Sequence, residues 1–292
     1  MPEKTDLNLP PRSALLLQGG ALRGCYTSGV LDVLMEEGIY FPTVAGVSAG
    51  ALNAMNYVAR QPGRSARINL NYRHDPRYLG PLAVMKGGGV FGLEFLMETL
   101  SEKEPFDQTT FDESPQNLFV VATSLATGRA EFFEKGVCED FTHAIIASAS
   151  MPLASLPVKV GAGRYLDGGC ACPIPLRWAL ERGQDKIVVV TTQAKGYRKP
   201  RTGQRMVDLY GDFYARHTQF YATLLTMDLR YNALMDELDE LEADGRIFVV
   251  RPSEPISIGR FEGDTNKLLA LVNLGRRDML EQVGAMKEYL FY

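Results

Sequence analysis

The sequence predicts a three-layer α/β/α fold built on a mainly parallel central sheet. Ser13–Gln18, Leu118–Thr123 and Lys186–Thr192 are short, continuous apolar runs, the pattern of strands buried on both faces. Segments of helical spacing alternate with them, as strand–helix–strand units require. Glycines stand where strands end, at Gly19-Gly20 and at Gly46.

Taken in order, residues 1–12 read as a polar tail closed by Pro10-Pro11. Ser13–Gln18 is the first strand. Residues 24–37 follow with Tyr26, Val30, Val33 and Leu34 at helical spacing, and Gly38 stops that helix. Thr43–Gly46 is the second strand and Ala49–Ala59 a charge-poor, buried helix. Residues 60–115 hold short helices and a Gly87-Gly88-Gly89 loop. Leu118–Thr123 is a strand with Arg129–Phe133 alternating beside it, and Asp140–Ser148 is a helix. Pro157–Leu166 is a hairpin turning at Gly161-Ala162-Gly163, before a helix at Leu176–Arg182. Strands follow at Lys186–Thr192 and Arg246–Arg251. Residues 203–243 read as one long helix, with Val207, Tyr210, Phe213, Tyr214, Phe220, Tyr221, Leu224 and Leu225 among its apolar members. Packing on the sheet is the expected use of that face, and lining an acyl channel or resting on a bilayer surface the competing one. A helix over 264–291 closes the chain. No linker separates a second domain. We therefore expect a single domain over 13–292, with a catalytic core at about 13–195 and a helical part with the last strand at 196–292.

A hydrophobic share of 46% over 292 residues is ample for a buried core. A net charge of −4 argues against nucleic acid as a partner and against a polybasic membrane patch. It leaves contact with a membrane surface through apolar side chains open. Cys25, Cys138, Cys170 and Cys172 show no disulfide framework, so free thiols in a reducing compartment are expected. The acidic start at Met1–Asp6 lacks the features of a signal peptide, and no apolar run has the length of a membrane span. The expected location is the cytoplasm.

Three segments carry chemistry. Gly46-Val47-Ser48-Ala49-Gly50 is a Gly-x-Ser-x-Gly pattern joining a strand to a helix, which places a serine on a sharp turn as a nucleophile. Its competing reading is a turn in which Ser48 only caps the helix. Gly19-Gly20-Ala21-Leu22-Arg23-Gly24 exposes backbone N–H groups of the kind that hold an oxyanion. A phosphate-binding loop is its rival, but the glycine spacing fits neither nucleotide motif. Asp167-Gly168-Gly169 puts a carboxylate at a strand end, to receive the serine proton or simply to make an Asp-Gly turn.

Together these segments resemble the patatin-like phospholipase family. The likeness extends through Gly29–Leu34 with Glu37-Gly38-Ile39 and through Ala147–Pro152, in the right order over roughly 13 to 195. The remainder resembles the C-terminal part of a bacterial subgroup of patatin-like proteins. The resemblance implies a Ser48–Asp167 dyad that hydrolyses lipid acyl esters, with no metal or organic cofactor. Gly19, Gly20 and Ala21 would form the oxyanion hole. Arg23 would shape that loop, and Gly24, Gly46, Gly50, Gly168 and Gly169 would support the motifs. The implied partner is a lipid or fatty-acyl ester; the oligomeric state stays open. Two departures stand out. Ala21 takes a position where the family usually has Gly, and Cys170-Ala171-Cys172-Pro173 replaces an Asn-x-Pro-like element. Two other readings remain. One is a Ser–His–Asp esterase or thioesterase using His217, with His74 and His143 structural. The other is a lipid-binding protein that has lost turnover.

Overall fold

The computed structural model describes residues 9–79, 83, 89, 92, 95 and 103–292. Residues 1–8 of the expected tail and Gly87-Gly88 of the expected loop lie outside the described residues. Gly89 forms an isolated bridge with Ser155.

Among the described residues eight strands form one sheet: β1 (Ser13–Leu17), β2 (Thr43–Val47), β3 (Asn117–Ser124), β4 (Ala130–Glu134), β5 (Val158–Val160), β6 (Gly163–Asp167), β7 (Lys186–Val190) and β8 (Ile247–Val250). β3, β2, β1, β7 and β8 lie side by side and parallel. β4, β5 and β6 are antiparallel additions. The helices whose bounds lie among the described residues are α1 (Gly24–Glu36), α2 (Ala49–Val58), α3 (Arg64–Asn71), α4 (Gln108–Glu113), α5 (Phe141–Ser148) and α6 (Leu176–Glu181). They continue with α7 (Gln204–Tyr214), α8 (Thr218–Leu225), α9 (Met227–Ala243) and α10 (Thr265–Phe291).

The alternation of the strands explains the three layers. Leu15 and Leu17 of β1, with Val44, Val120, Val188 and Val250, face a core completed by α1, α2 and α10. Ala14 and Leu16, with Ala45, Phe119, Val189 and Val249, face the opposite core, where Leu176 and Ala179 of α6 meet Tyr231, Met235 and Leu238 of α9. Both faces are dry, so these strands read as unbroken apolar runs rather than alternating ones. The predicted three-layer, mainly parallel architecture is therefore the observed one.

The junction of β2 and β6 sets up the site. Val47 of β2 pairs with Val121 of β3, and Asp167 of β6 pairs with the next residue, Ala122. β4 pairs with residues 119–123 along the opposite edge of β3. β2 and β6 therefore share one edge of β3 and meet end to end.

One expected element is different. Residues 203–243 form three helices, not one, with breaks at Ala215–His217 and at Thr226. A straight helix of that length would run about 60 Å. The bends let Tyr210, Tyr214, Phe220 and Leu224 cover Leu166 at the end of β6 and Cys170, while α9 packs over β1, β7 and β8. Arg230 fixes the second break by donating to the Thr223 carbonyl at 2.7 Å and to the Cys170 carbonyl at 2.6 Å.

α10 crosses α1 at two glycines. A Cβ built on Gly275 would lie 2.1 Å from the Tyr26 carbonyl oxygen, and one on Gly29 would lie 2.1 Å from that of Val272. Gly284, farther along α10, has nothing within 4 Å of such a Cβ. Gly275→Ala should therefore lower stability in urea titration by about 1–3 kcal/mol. Gly284→Ala should raise it by about 0.5–1 kcal/mol through helix propensity. Equal effects would contradict this helix crossing.

Candidate active site

Ser48 follows β2 and starts α2 with φ +56 and ψ −124. This region costs a non-glycine residue about 1–3 kcal/mol and persists only where surrounding contacts impose it. Those contacts are on both sides. The Ser48 N–H donates to Ser148 Oγ at 2.8 Å, and Ser148 Oγ donates in turn to the Val121 carbonyl at 2.6 Å. Neighbouring backbone crowds the turn as well. A Cβ on Gly50 would fall 2.3 Å from the Leu17 carbonyl oxygen, and one on Gly19 would fall 2.8 Å from Ser48 Cβ. Gly24, Gly46 and Gly168 have comparably close neighbours. Gly169 lies beside the Asp167 carboxylate.

Because β2 and β6 meet end to end, Asp167 arrives opposite Ser48. Ser48 Oγ donates to Asp167 Oδ2 at 2.7 Å, and the Gly169 N–H donates to Asp167 Oδ1 at 2.8 Å. Each residue is only 7% exposed. Burial raises the Asp167 carboxyl above the ordinary carboxylate range. The Ser48 and Gly169 hydrogen bonds, then Arg260 and Lys199, act against that rise. A buried carboxylate with a raised pKa, in contact with a hydroxyl, is equipped to take its proton. The Asp167 turn has its own brace. Thr123 Oγ1 donates to the Asp167 carbonyl at 2.8 Å and accepts from the Ala171 N–H at 3.2 Å. Cys170 is packed with Leu166 and Phe220, and burial raises its thiol pKa strongly. All four cysteines are free, and Cys170 behaves as a small apolar residue.

The glycine loop lies against the same serine. Among the described residues, the N–H groups of Gly19 and Gly20 meet no protein acceptor. Ala21 sits at φ +51, a left-handed turn made with alanine at about 1–2 kcal/mol above glycine. Gln18 and Thr192 hold the loop. Gln18 Oε1 accepts from the Thr192 N–H at 2.7 Å, and Thr192 Oγ1 donates to the Gly19 carbonyl at 2.9 Å. Arg23 forms no surface ion pair among the described residues. It donates to the Ile258 carbonyl at 3.3 Å, tying the loop to the segment before α10.

Two cavities meet at Ala21, Ser48 and Met151. The larger is about 530 Å³ and its wall includes Leu22, Leu52, Met55, Ile68, Phe111 and Ile146. The smaller is about 180 Å³ and holds Asp167, Gly19, Gly20, Arg23, Lys199 and Arg260. Among the described residues no histidine side chain hydrogen-bonds to Ser48 or Asp167. His217 is exposed at the start of α8 and His74 is exposed. His143 Nδ1 meets Asp140 at 2.6 Å, at the start of α5 and on the wall of the larger cavity. With Ser48 and Asp167 in direct contact, no imidazole stands between them. No His/Cys/Asp/Glu cluster suited to a metal occurs among the described residues. Ser148, Thr123, Gln18, Lys199 and Arg260 escaped sequence reasoning. Ser148 lay in a segment singled out only by likeness, and the others carry no local pattern.

A family model described as patatin-like phospholipase matches residues 15–180. A second, described as a domain of unknown function, matches residues 217–291. The chain is 28% identical over 255 residues to the uncharacterized protein YjjU of Escherichia coli (strain K12), covering 85% of this chain and 70% of that one. It is 23% identical over 220 residues to the probable lipid hydrolase 463L of Invertebrate iridescent virus 6, covering 66% of this chain and 75% of that one. It is 27% identical over 183 residues to the cGAMP-activated phospholipase of Pseudomonas aeruginosa, covering 55% of this chain and 53% of that one.

Ser148→Ala leaves the Ser48 N–H without its acceptor inside a buried turn. It should lower stability in chemical denaturation by about 1–3 kcal/mol. An unchanged midpoint would show that Ser148 does not support the turn.

Proposed function

The chain belongs to the patatin-like phospholipase family, and from that premise we propose that it hydrolyses carboxylic ester bonds in lipids through Ser48 and Asp167. The observation that carries this reading is the 2.7 Å contact between the two buried side chains, at the mouth of a mostly apolar cavity. In the first half-reaction, Ser48 Oγ bonds to the acyl carbonyl carbon and gives its proton to Asp167 Oδ2. The N–H groups of Gly19 and Gly20 receive the oxyanion, each donor of this kind lowering the barrier by about 3–4 kcal/mol. Ala21 completes the turn of that loop. The tetrahedral species collapses, the ester C–O bond breaks, and the departing alcohol takes the proton from Asp167. In the second half-reaction, water attacks the acyl-enzyme while Asp167 takes its proton. The carboxylic acid leaves as Ser48 recovers a proton from Asp167. The larger cavity has the size of a small-molecule site and would take the acyl chain.

No described helix is long and apolar enough to cross a membrane. The free thiols fit a reducing compartment, so we assign the reaction to the cytoplasm, with peripheral contact at the membrane that supplies the lipid. The same reading treats residues 13–292 as one domain, because the C-terminal helix α10 packs on α1 of the catalytic core.

Ser48→Ala and Asp167→Asn should each reduce turnover of a short-chain nitrophenyl ester by about 10³-fold or more, with circular dichroism unchanged. His217→Ala should retain wild-type turnover. Near wild-type activity in either dyad variant would overturn the dyad, and a dead His217→Ala enzyme would restore a histidine mechanism.

The pH profile tests the base. Only the ionised Asp167 can take the serine proton, and its pKa is raised. The wild-type kcat/KM should therefore rise with pH along a limb centred above about 3.9, the ordinary aspartate value. A limb at or below that value would contradict a buried base.

A further inference from the structure

The smaller cavity is cationic in a chain that is net acidic. Arg23, Lys199 and Arg260 line it against a single carboxylate, Asp167. Among the described residues none of the three cations is in a salt bridge. Arg23 and Lys199 are half-buried, and Arg260 is exposed at the rim with its backbone tied to the glycine loop. The Lys199 backbone is clamped by Asn232, whose Oδ1 accepts from the Lys199 N–H at 2.7 Å and whose Nδ2 donates to the Lys199 carbonyl at 3.0 Å. Lys199 Nζ stands 4.2 Å from the centre of the Tyr231 ring, and Gln18 of the glycine-loop strand donates to the Tyr231 hydroxyl at 3.2 Å. The Leu22 N–H donates to the Arg260 carbonyl at 3.3 Å, and Arg73 donates to the Phe261 carbonyl at 2.8 Å. The cations are thus fastened to the loop that faces Ser48. Burial, then the neighbouring Arg260, pushes the Lys199 ammonium down to about 8, and an anion arriving between them offsets that repulsion.

Position gives this charge its meaning. The two cavities meet at Ser48, so an ester with its acyl chain in the apolar one sends its alcohol portion into the cationic one. We propose that Lys199 and Arg260 form a head-group subsite that selects lipid esters whose alcohol portion carries an uncompensated phosphate anion over zwitterionic choline esters and neutral glycerides. Both residues lie outside the segment matched by the patatin-like model. The proposal rests on the hydrolase reading of Ser48, and a binding experiment separates the two.

The full-length protein is assayed on lysophosphatidate, lysophosphatidylcholine and monoacylglycerol that share one acyl chain, each as monomers. The wild type should favour lysophosphatidate by about tenfold or more in kcat/KM, the scale of one charge-assisted hydrogen bond. The double variant Lys199→Gln/Arg260→Gln should bring that ratio close to one, and Lys199→Arg/Arg260→Lys should restore it. A wild-type ratio near one, or a ratio unchanged in the double variant, overturns the subsite. Calorimetric titration with a non-hydrolysable ether analogue of lysophosphatidate reads the subsite without turnover. Weaker binding to the double variant by about tenfold supports the subsite even if no ester is hydrolysed, an outcome that would sink the hydrolase reading alone. Equal binding overturns the subsite, as does inorganic phosphate binding as tightly as the ether lipid, which would indicate a site for the free ion.

Discussion

β2 and β6 run into each other along one edge of β3, and the rest of the site depends on that junction. The pairing Val47–Val121 is followed by the pairing of Ala122 with Asp167, so two chain segments more than a hundred residues apart end at the same point. Ser48 is the residue after one end and Asp167 is the other end. Their 2.7 Å contact is therefore a product of sheet register. A slip of one residue in either strand would turn the affected side chain to the opposite face. Strain at Ser48 is tolerated because Ser148 and Thr123, both fastened to the β3 region, hold the two turns from below.

The junction also explains why the cavities differ. On one side of Ser48 lie α2, α3 and α5, which present Leu52, Met55, Ile68 and Ile146. On the other side lie the glycine loop, the stretch around Lys199 and the segment before α10, which present Arg23, Lys199 and Arg260. An amphiphilic ester is likewise apolar at one end and polar at the other. The catalytic pair sits where the polarity changes, which is where the ester bond of such a molecule lies.

Much of this was legible in the sequence because the governing physics is local. Dry strands declare themselves as apolar runs, and Ser13–Leu17, Asn117–Ser124 and Lys186–Val190 lie within a residue or two of their expected bounds. The Ser48 turn was legible because so tight a strand-to-helix turn needs small neighbours at Gly46 and Gly50. The breaks at Ala215–His217 and Thr226 were not, because helical spacing persists across them and only the separate apolar surfaces beneath each piece require the bends. Ala21 stands where the family usually has Gly, and the loop makes its left-handed turn with alanine. Lys199 and Arg260 were invisible for another reason. Their closeness to Arg23 arises from tertiary contacts through Asn232 and Leu22 and leaves no mark on spacing.

The central claim is that Ser48 is a nucleophile made reactive by its place at this junction. Fluorophosphonate labelling of the folded protein, read by peptide mass mapping, tests it most directly. The account predicts a single phosphonylated peptide carrying Ser48, with labelling lost when the protein is unfolded first. Absence of label on Ser48 in the folded protein, or label on Ser148 instead, would contradict it.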